Sequence, residues 1–225
     1  MIKRTFATTV IAASMMFTSF AYAVPGTNPL PRTGQGQAGK CYDSATAPAV
    51  EIPCTGTKQD GETRKGVAWP GTRFTDNSNG TVTDNLTGLI WLKDITCLGM
   101  RNLNEATAQV AVLANATCGL TDGSTAGTWR LPNAQELKSL VDINYYGPAL
   151  TPGHPFILLS GDYSQSLLWS STPFPGGSGY YVAVRLYTGD VSGPGTPNYN
   201  YCDSYGCHHF YYNSANLALP VKNSP

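Results

Sequence analysis

RFTDNSNGTVTDNLTGLIWLKD, residues 73–94, gathers Asp76, Asn77, Asn79, Asp84 and Asn85 around Gly80 and Gly88. Two readings compete for it: an oxygen-rich calcium loop, or chain reversals between short strands. Setting Gly80 as the glycine of an EF-hand loop puts Thr75 first and Leu86 last. That loop needs an acid at its first position and a bidentate Glu at its last, so the template fails. An irregular calcium site on Asp76 and Asp84 stays as the alternative. Tight turns account for the stretch better, because Asn and Gly accept the positive φ that such turns require. Phe74, Val82, Leu86, Leu89, Trp91 and Leu92 fall in short runs separated by NSNG and NLTG. The stretch therefore predicts three short antiparallel strands joined by two turns.

Helices are expected next. LNEATAQVAVLAN (103–115) has helical composition, with Asn104 as a cap and Ala106, Val110, Leu113 and Ala114 at helical spacing. In TWRLPNAQELKSLVD, Asn133 is an N-cap and Glu136, three residues on, completes a capping box. Leu137, Leu140 and Val141 follow as an apolar stripe, and Pro132 blocks helical entry before Asn133. Beyond Tyr145 the pattern returns to strands: SLLWSST (166–172), YYVAVRLYTGDVSG (180–193) with a turn at Thr188-Gly189-Asp190, and a closing NLALPVK (216–222). Strands, two helices, then strands define an α+β fold with an antiparallel sheet and much irregular loop.

The chain opens MIKRTFATTVIAASMMFTSFAYA, with a basic start at Lys3 and Arg4, an apolar run, and the A-x-A site Ala21-Tyr22-Ala23. Residues 1–23 read as a cleaved signal peptide, which makes the expected address secreted, cell-surface or periplasmic. No apolar run approaches the roughly 20 residues that a membrane-spanning helix needs. Removing Lys3 and Arg4 leaves 12 basic against 14 acidic residues, formally −2, which gives no field to attract nucleic acid. Residues 24–69 read as a flexible linker carrying a small disulfide loop, CYDSATAPAVEIPC, ahead of a folded domain over 70–222. Six cysteines behind a signal peptide imply three disulfides among 15 possible pairings. The sequence-local set is Cys41–Cys54, Cys97–Cys118 and Cys202–Cys207.

Five segments, in order, resemble one family: RFTDNSNGTVTDNLTGLIWLKD, TWRLPNAQELKSLVD, LLWSST, YYVAVRLYTGDVSG and ALPVK. The chain is identified as similar to the Lcl C-terminal domain family, named after the C-terminal region of the Legionella collagen-like adhesin. The resemblance covers about residues 70–222 and implies a C-type-lectin-like fold, with two helices and a looped antiparallel sheet. It also implies adhesion to a glycan or protein surface, with a homo-oligomer, a trimer by family likeness, as a further partner. The family's best-studied member binds sulfated glycosaminoglycans, which requires clustered Lys and Arg. Here Arg185 and Lys222 are the only Lys or Arg residues between Ala149 and Pro225. The sugar-and-calcium triplets of calcium-dependent lectins are also absent, so a lectin fold without its calcium site, and without a cofactor, is expected.

Eight of the 13 tyrosines lie between Gly176 and Asn216, interleaved with Ser, Gly, Asn and Asp. Binding surfaces use this mixture because Tyr gives rigid amphipathic area at low entropy cost. Tyr199, Tyr201, Tyr205, Tyr211 and Tyr212, with Arg185, are the candidate ligand-binding residues. CDSYGCHH (202–209) reads as a disulfide-closed turn or, alternatively, as a zinc site. Trp91, Trp129, Leu131 and Trp169 read as core, and Arg130 as bonding a carbonyl or carboxylate beside the helix entry. His154 is a lone loop histidine. No G-x-S-x-G, H-E-x-x-H, P-loop or dinucleotide fingerprint occurs, so no catalytic residue is expected. The function expected is a non-enzymatic binding module acting through its Tyr-rich C-terminal loops; the alternative is a structural or assembly domain of the envelope.

Overall fold

The computed structural model describes residues 30–43, 45, 49–158, 167–175, 179–189, 191–192, 202–203, 206–207 and 215–224. It opens with α1 (Gly34–Ala38), β1 (Cys41–Asp43), β2 (Val50–Ile52) and α2 (Asp60–Thr63). The 73–94 stretch then forms β3 (Phe74–Asp76), β4 (Thr81–Asp84) and β5 (Ile90–Leu92). Helices α3 (Leu103–Val112) and α4 (Ala134–Leu140) follow, then β6 (Leu167–Pro173), β7 (Tyr181–Arg185) and β8 (Val191–Ser192). A two-residue hairpin, β9 (Cys202–Asp203) with β10 (Gly206–Cys207), precedes the terminal β11 (Val221–Lys222).

The two reversals in the opening stretch put Gly80 and Gly88 at positive φ, as the sequence predicts, but the other positive-φ residue is Ser78 and not an Asn; the Asp and Asn side chains instead cap the turns. At the β3–β4 turn the Asp76 Oδ1 accepts the Ser78 N–H at 2.9 Å, and the Asn79 Oδ1 accepts the Thr81 N–H at 3.2 Å. Gly80, at φ 82°, closes the turn against the backbone of Gly119; a side chain there would be strained and obstructed. At the β4–β5 turn the Asp84 carbonyl accepts Gly88 N–H at 2.7 Å while its carboxylate accepts Leu86 N–H and Thr87 Oγ1.

These three strands and β11 form a four-stranded antiparallel sheet, ordered β11-β5-β4-β3. The chain end is thus stitched beside Trp91, with Val221 as its partner. A three-stranded antiparallel sheet, β6-β7-β8, lies elsewhere in the same core. One cluster of buried side chains runs from Phe74 to Val221 and includes Trp91, Trp129, Leu137, Trp169, Val184 and Leu219. Trp91 and Trp169 are fully buried, and Trp169 donates its Nε1–H to the Arg101 carbonyl at 2.8 Å. Disulfides link Cys41 to Cys54 and Cys97 to Cys118. The first closes the β1–β2 hairpin and the second fastens the chain before α3 to the loop after it.

Two features differ from the sequence reading. Helix α3 is capped by Asn102, whose side chain accepts Glu105 N–H, and not by Asn104. Leu103 is buried at 5% exposure, and seating it on the core face starts the helix one residue after Asn102. Residues 30–69 are also more than a linker. Pro31 bridges Val67, Trp69 donates to the Arg32 carbonyl at 2.7 Å, and Tyr42 Oη bonds Asn144 Oδ1 at 3.0 Å. Gly34 meets the Asp142 side chain so closely that a Cβ would land on its carboxylate. Polar and backbone contacts, rather than an apolar stripe, hold this segment on the domain.

Candidate functional site

The strongest sequence motif, Trp129-Arg130-Leu131-Pro132-Asn133, enters α4 along the edge of the terminal strand. Arg130 and Val221 exchange backbone hydrogen bonds at 3.1 and 3.0 Å, which leaves Trp129 and Leu131 facing the core at 2% and 7% exposure. Asn133 caps α4 by accepting Glu136 N–H at 2.9 Å, and Glu136 Oε2 reaches back to Asn133 N–H at 2.8 Å. The Arg130 guanidinium grips the same Glu136 carboxylate through two bonds of 2.8 and 2.7 Å. Those bonds from Arg130 hold the Glu136 pKa below its usual range, and the pairing raises that of Arg130. Further anchors are Ser171 N–H to the Pro132 carbonyl and Ala134 N–H to Thr172 Oγ1.

This braced segment forms one wall of an open cleft of about 820 Å³. Helix α3 forms the facing wall through Asn104, Thr107, Ala108 and Ala111, which lie at i, i+3, i+4 and i+7 and are exposed. Leu103, Ala106 and Val110, with Leu113 at the C-cap, make the neighbouring buried stripe, and Leu103 and Val110 also reach the cleft lining. Tyr181 on β7 and Ser171 on β6 complete the lining. Sequence reading missed this cleft. The available signal was the stripe of small and polar residues on α3 beside its apolar one.

The residues singled out from sequence are distributed differently. Tyr199, Tyr201, Tyr205, Tyr211 and Tyr212 lie outside the described residues. So do the side chains of Cys202 and Cys207, although their backbones face each other in the β9–β10 ladder. Arg185, expected as a ligand contact, is buried at 6% exposure. Its strand, β7, is the central one of its sheet, and Ala183, Val184 and Arg185 are buried in succession, so both faces of the strand are covered there.

Asp76 and Asp84 do not share an ion site, because each carboxylate is held by a cation of this chain. Lys93 Nζ bonds Asp76 at 2.6 Å, and the Lys93 hydrogen bond leads the lowering of the Asp76 pKa. Asp84 receives Arg73 through two bonds of 2.8 and 3.0 Å, with both side chains buried. Arg73 also donates to the Ser139 carbonyl at 2.6 Å and lies between the Trp69 and Phe74 rings, 4.7 and 4.9 Å from their centroids. His154 packs against Phe156, its pKa lowered by burial, with no hydrogen-bond partner for Nδ1 among the described residues. Among the described residues no group of three or more His, Cys, Asp or Glu side chains could hold a metal. No helix among them is long and apolar enough to cross a membrane.

These features define a mixed helix-and-sheet domain with small antiparallel sheets, two disulfides among the described residues and an open cleft. The chain belongs to the Lcl C-terminal domain family, which matches over residues 80–202 and is adhesin-associated. No curated protein and no solved structure matches the chain.

Proposed function

We propose that the chain is an exported, non-catalytic binding module of C-type-lectin-like fold that attaches to a glycan or protein surface through its Tyr-rich C-terminal segment. Residues 1–23 direct export as a cleaved signal peptide, and residues 70–222 constitute the adhesive domain. The observation that carries this reading is the anchoring of the Tyr-rich segment. It starts at β8, which is paired to the buried β7, and ends at Asn216 and Leu217, which are themselves buried. Asn216 exchanges backbone bonds of 2.9 Å with Arg101, and Leu217 bridges Leu168. A recognition segment held at both ends by a rigid scaffold is the usual placement of binding residues on loops. Tyr, Ser, Gly and Asn are the residues that paratopes use for this purpose.

Beads coated with the mature chain test the reading by adhesion under flow to surfaces bearing neutral glycans or matrix proteins. Native beads are expected to be retained on at least one surface, and beads carrying Tyr199→Ala, Tyr201→Ala and Tyr205→Ala together to be released. Equal retention of both would remove the Tyr-rich segment as the adhesive surface. Retention of neither, with the chain found only as a stable trimer, would favour an assembly domain.

A further inference from the structure

We infer that the cleft between α3 and the Trp129–Asn133 wall is a second binding site, built from residues other than the proposed adhesive tyrosines, that takes a neutral, hydroxyl-rich ligand such as a short oligosaccharide. Its volume of about 820 Å³ lies within the range of roughly 300–1,000 Å³ common to small-ligand sites. The charge arithmetic selects the ligand class. Arg130 and Glu136 are the only ionisable Lys, Arg, Asp or Glu groups in the lining, and they neutralise each other through paired hydrogen bonds. A sulfated or phosphorylated ligand would find no uncompensated cation there, and would have to compete with Glu136 for Arg130.

What remains on offer is neutral and two-sided. The Asn104 side-chain amide, the Asn133 Nδ2 and the Tyr181 hydroxyl form no hydrogen bond within the described residues, and all three residues line the cleft. Amides and phenols both donate and accept, as do sugar hydroxyls. The apolar part of the lining, with Ala108, Ala111 and the Tyr181 ring, suits the C–H faces of a pyranose, as an aromatic with a polar tip does elsewhere. The walls are already braced: Asn133 is held by the capping box and Pro132 by two bonds from Ser171. A ligand would therefore meet a preorganised surface and lose little affinity to ordering it.

The test uses the mature full-length chain and four neutral probes: maltotriose, cellotriose, lactose and triacetylchitotriose, by titration calorimetry and saturation-transfer NMR. Ala108→Trp places an indole in the cleft from an exposed helix position, so the fold should survive, as circular dichroism would verify. Binding of at least one probe is expected, lost in Ala108→Trp and weakened about 3- to 10-fold in Tyr181→Phe, the effect of one neutral hydrogen bond. The Tyr199/Tyr201/Tyr205→Ala chain should bind that probe as the native chain does. No probe binding, or probe binding that Ala108→Trp leaves intact, would overturn the cleft site. Loss in the triple-Tyr chain with retention in Ala108→Trp would overturn it while leaving the proposed adhesive segment standing.

Discussion

Arg73→Met is the most informative perturbation of the fold, because Arg73 ties the opening stretch to the helical half of the domain. Its guanidinium makes two bonds to Asp84 and one to the Ser139 carbonyl near the end of α4. The Asp84 side chain has no solvent exposure, so removing the cation leaves a buried carboxylate without its countercharge. Breaking a buried pair this way costs about 3–5 kcal/mol. Leu86 N–H and Thr87 Oγ1 still donate to Asp84, which places the expectation near the lower figure. Met keeps a long apolar stem between Trp69 and Phe74, so the effect reports charge more than lost packing. With a urea slope of about 2 kcal/mol/M, the unfolding midpoint should fall by about 1.5 M. Arg73→Met/Asp84→Asn removes both charges and should recover part of that loss, giving a coupling above about 1 kcal/mol in the double-mutant cycle. A midpoint shift below about 0.3 M in the single variant would show that the pair does not organise this part of the domain.

Other consequences are equally direct. Asn133→Ala removes the α4 cap and one wall anchor of the cleft, and should cost about 1 kcal/mol in denaturant unfolding. Glu136 has a folded-state pKa below its unfolded value, so its contribution is present above the unfolded pKa and is lost as pH falls through the folded one. Melting temperatures of Glu136→Gln and the native chain should therefore differ near neutral pH and converge in acid. Asp142, raised chiefly by burial, works in the opposite sense, which is why the difference between the two chains is the quantity to follow. Gly34→Val cannot fit against Asp142 and should release residues 30–69, read as faster amide exchange there with the core unchanged.

The parts of the fold legible in the sequence are those governed by neighbours in the chain. The two turns of residues 73–94 and the Asn133/Glu136 capping box follow from side chains acting within about four residues. The α3 cap slipped by two positions because RNLN offers two asparagines, and only the burial of Leu103 decides between them. The docking of residues 30–69 was hidden because its key bond, Tyr42 to Asn144, joins positions 102 residues apart, with no apolar stripe to announce it. The burial of Arg185 was hidden because strand alternation cannot show that Ala183, Val184 and Arg185 are covered in succession. The cleft needed α3, the α4 entry and two strands in one place, information that no single segment carries.

The central claim, that this adhesin-associated domain works by binding, is tested most directly by equilibrium binding of the native mature chain to an array of glycans and extracellular proteins. Saturable, salt-tolerant binding to at least one neutral or weakly charged target is expected, since the mature chain is formally −2 and the one Lys or Arg in the cleft lining is already paired with Glu136. Binding confined to sulfated polyanions and abolished by moderate salt, or no binding to any target by a correctly folded chain, would contradict it.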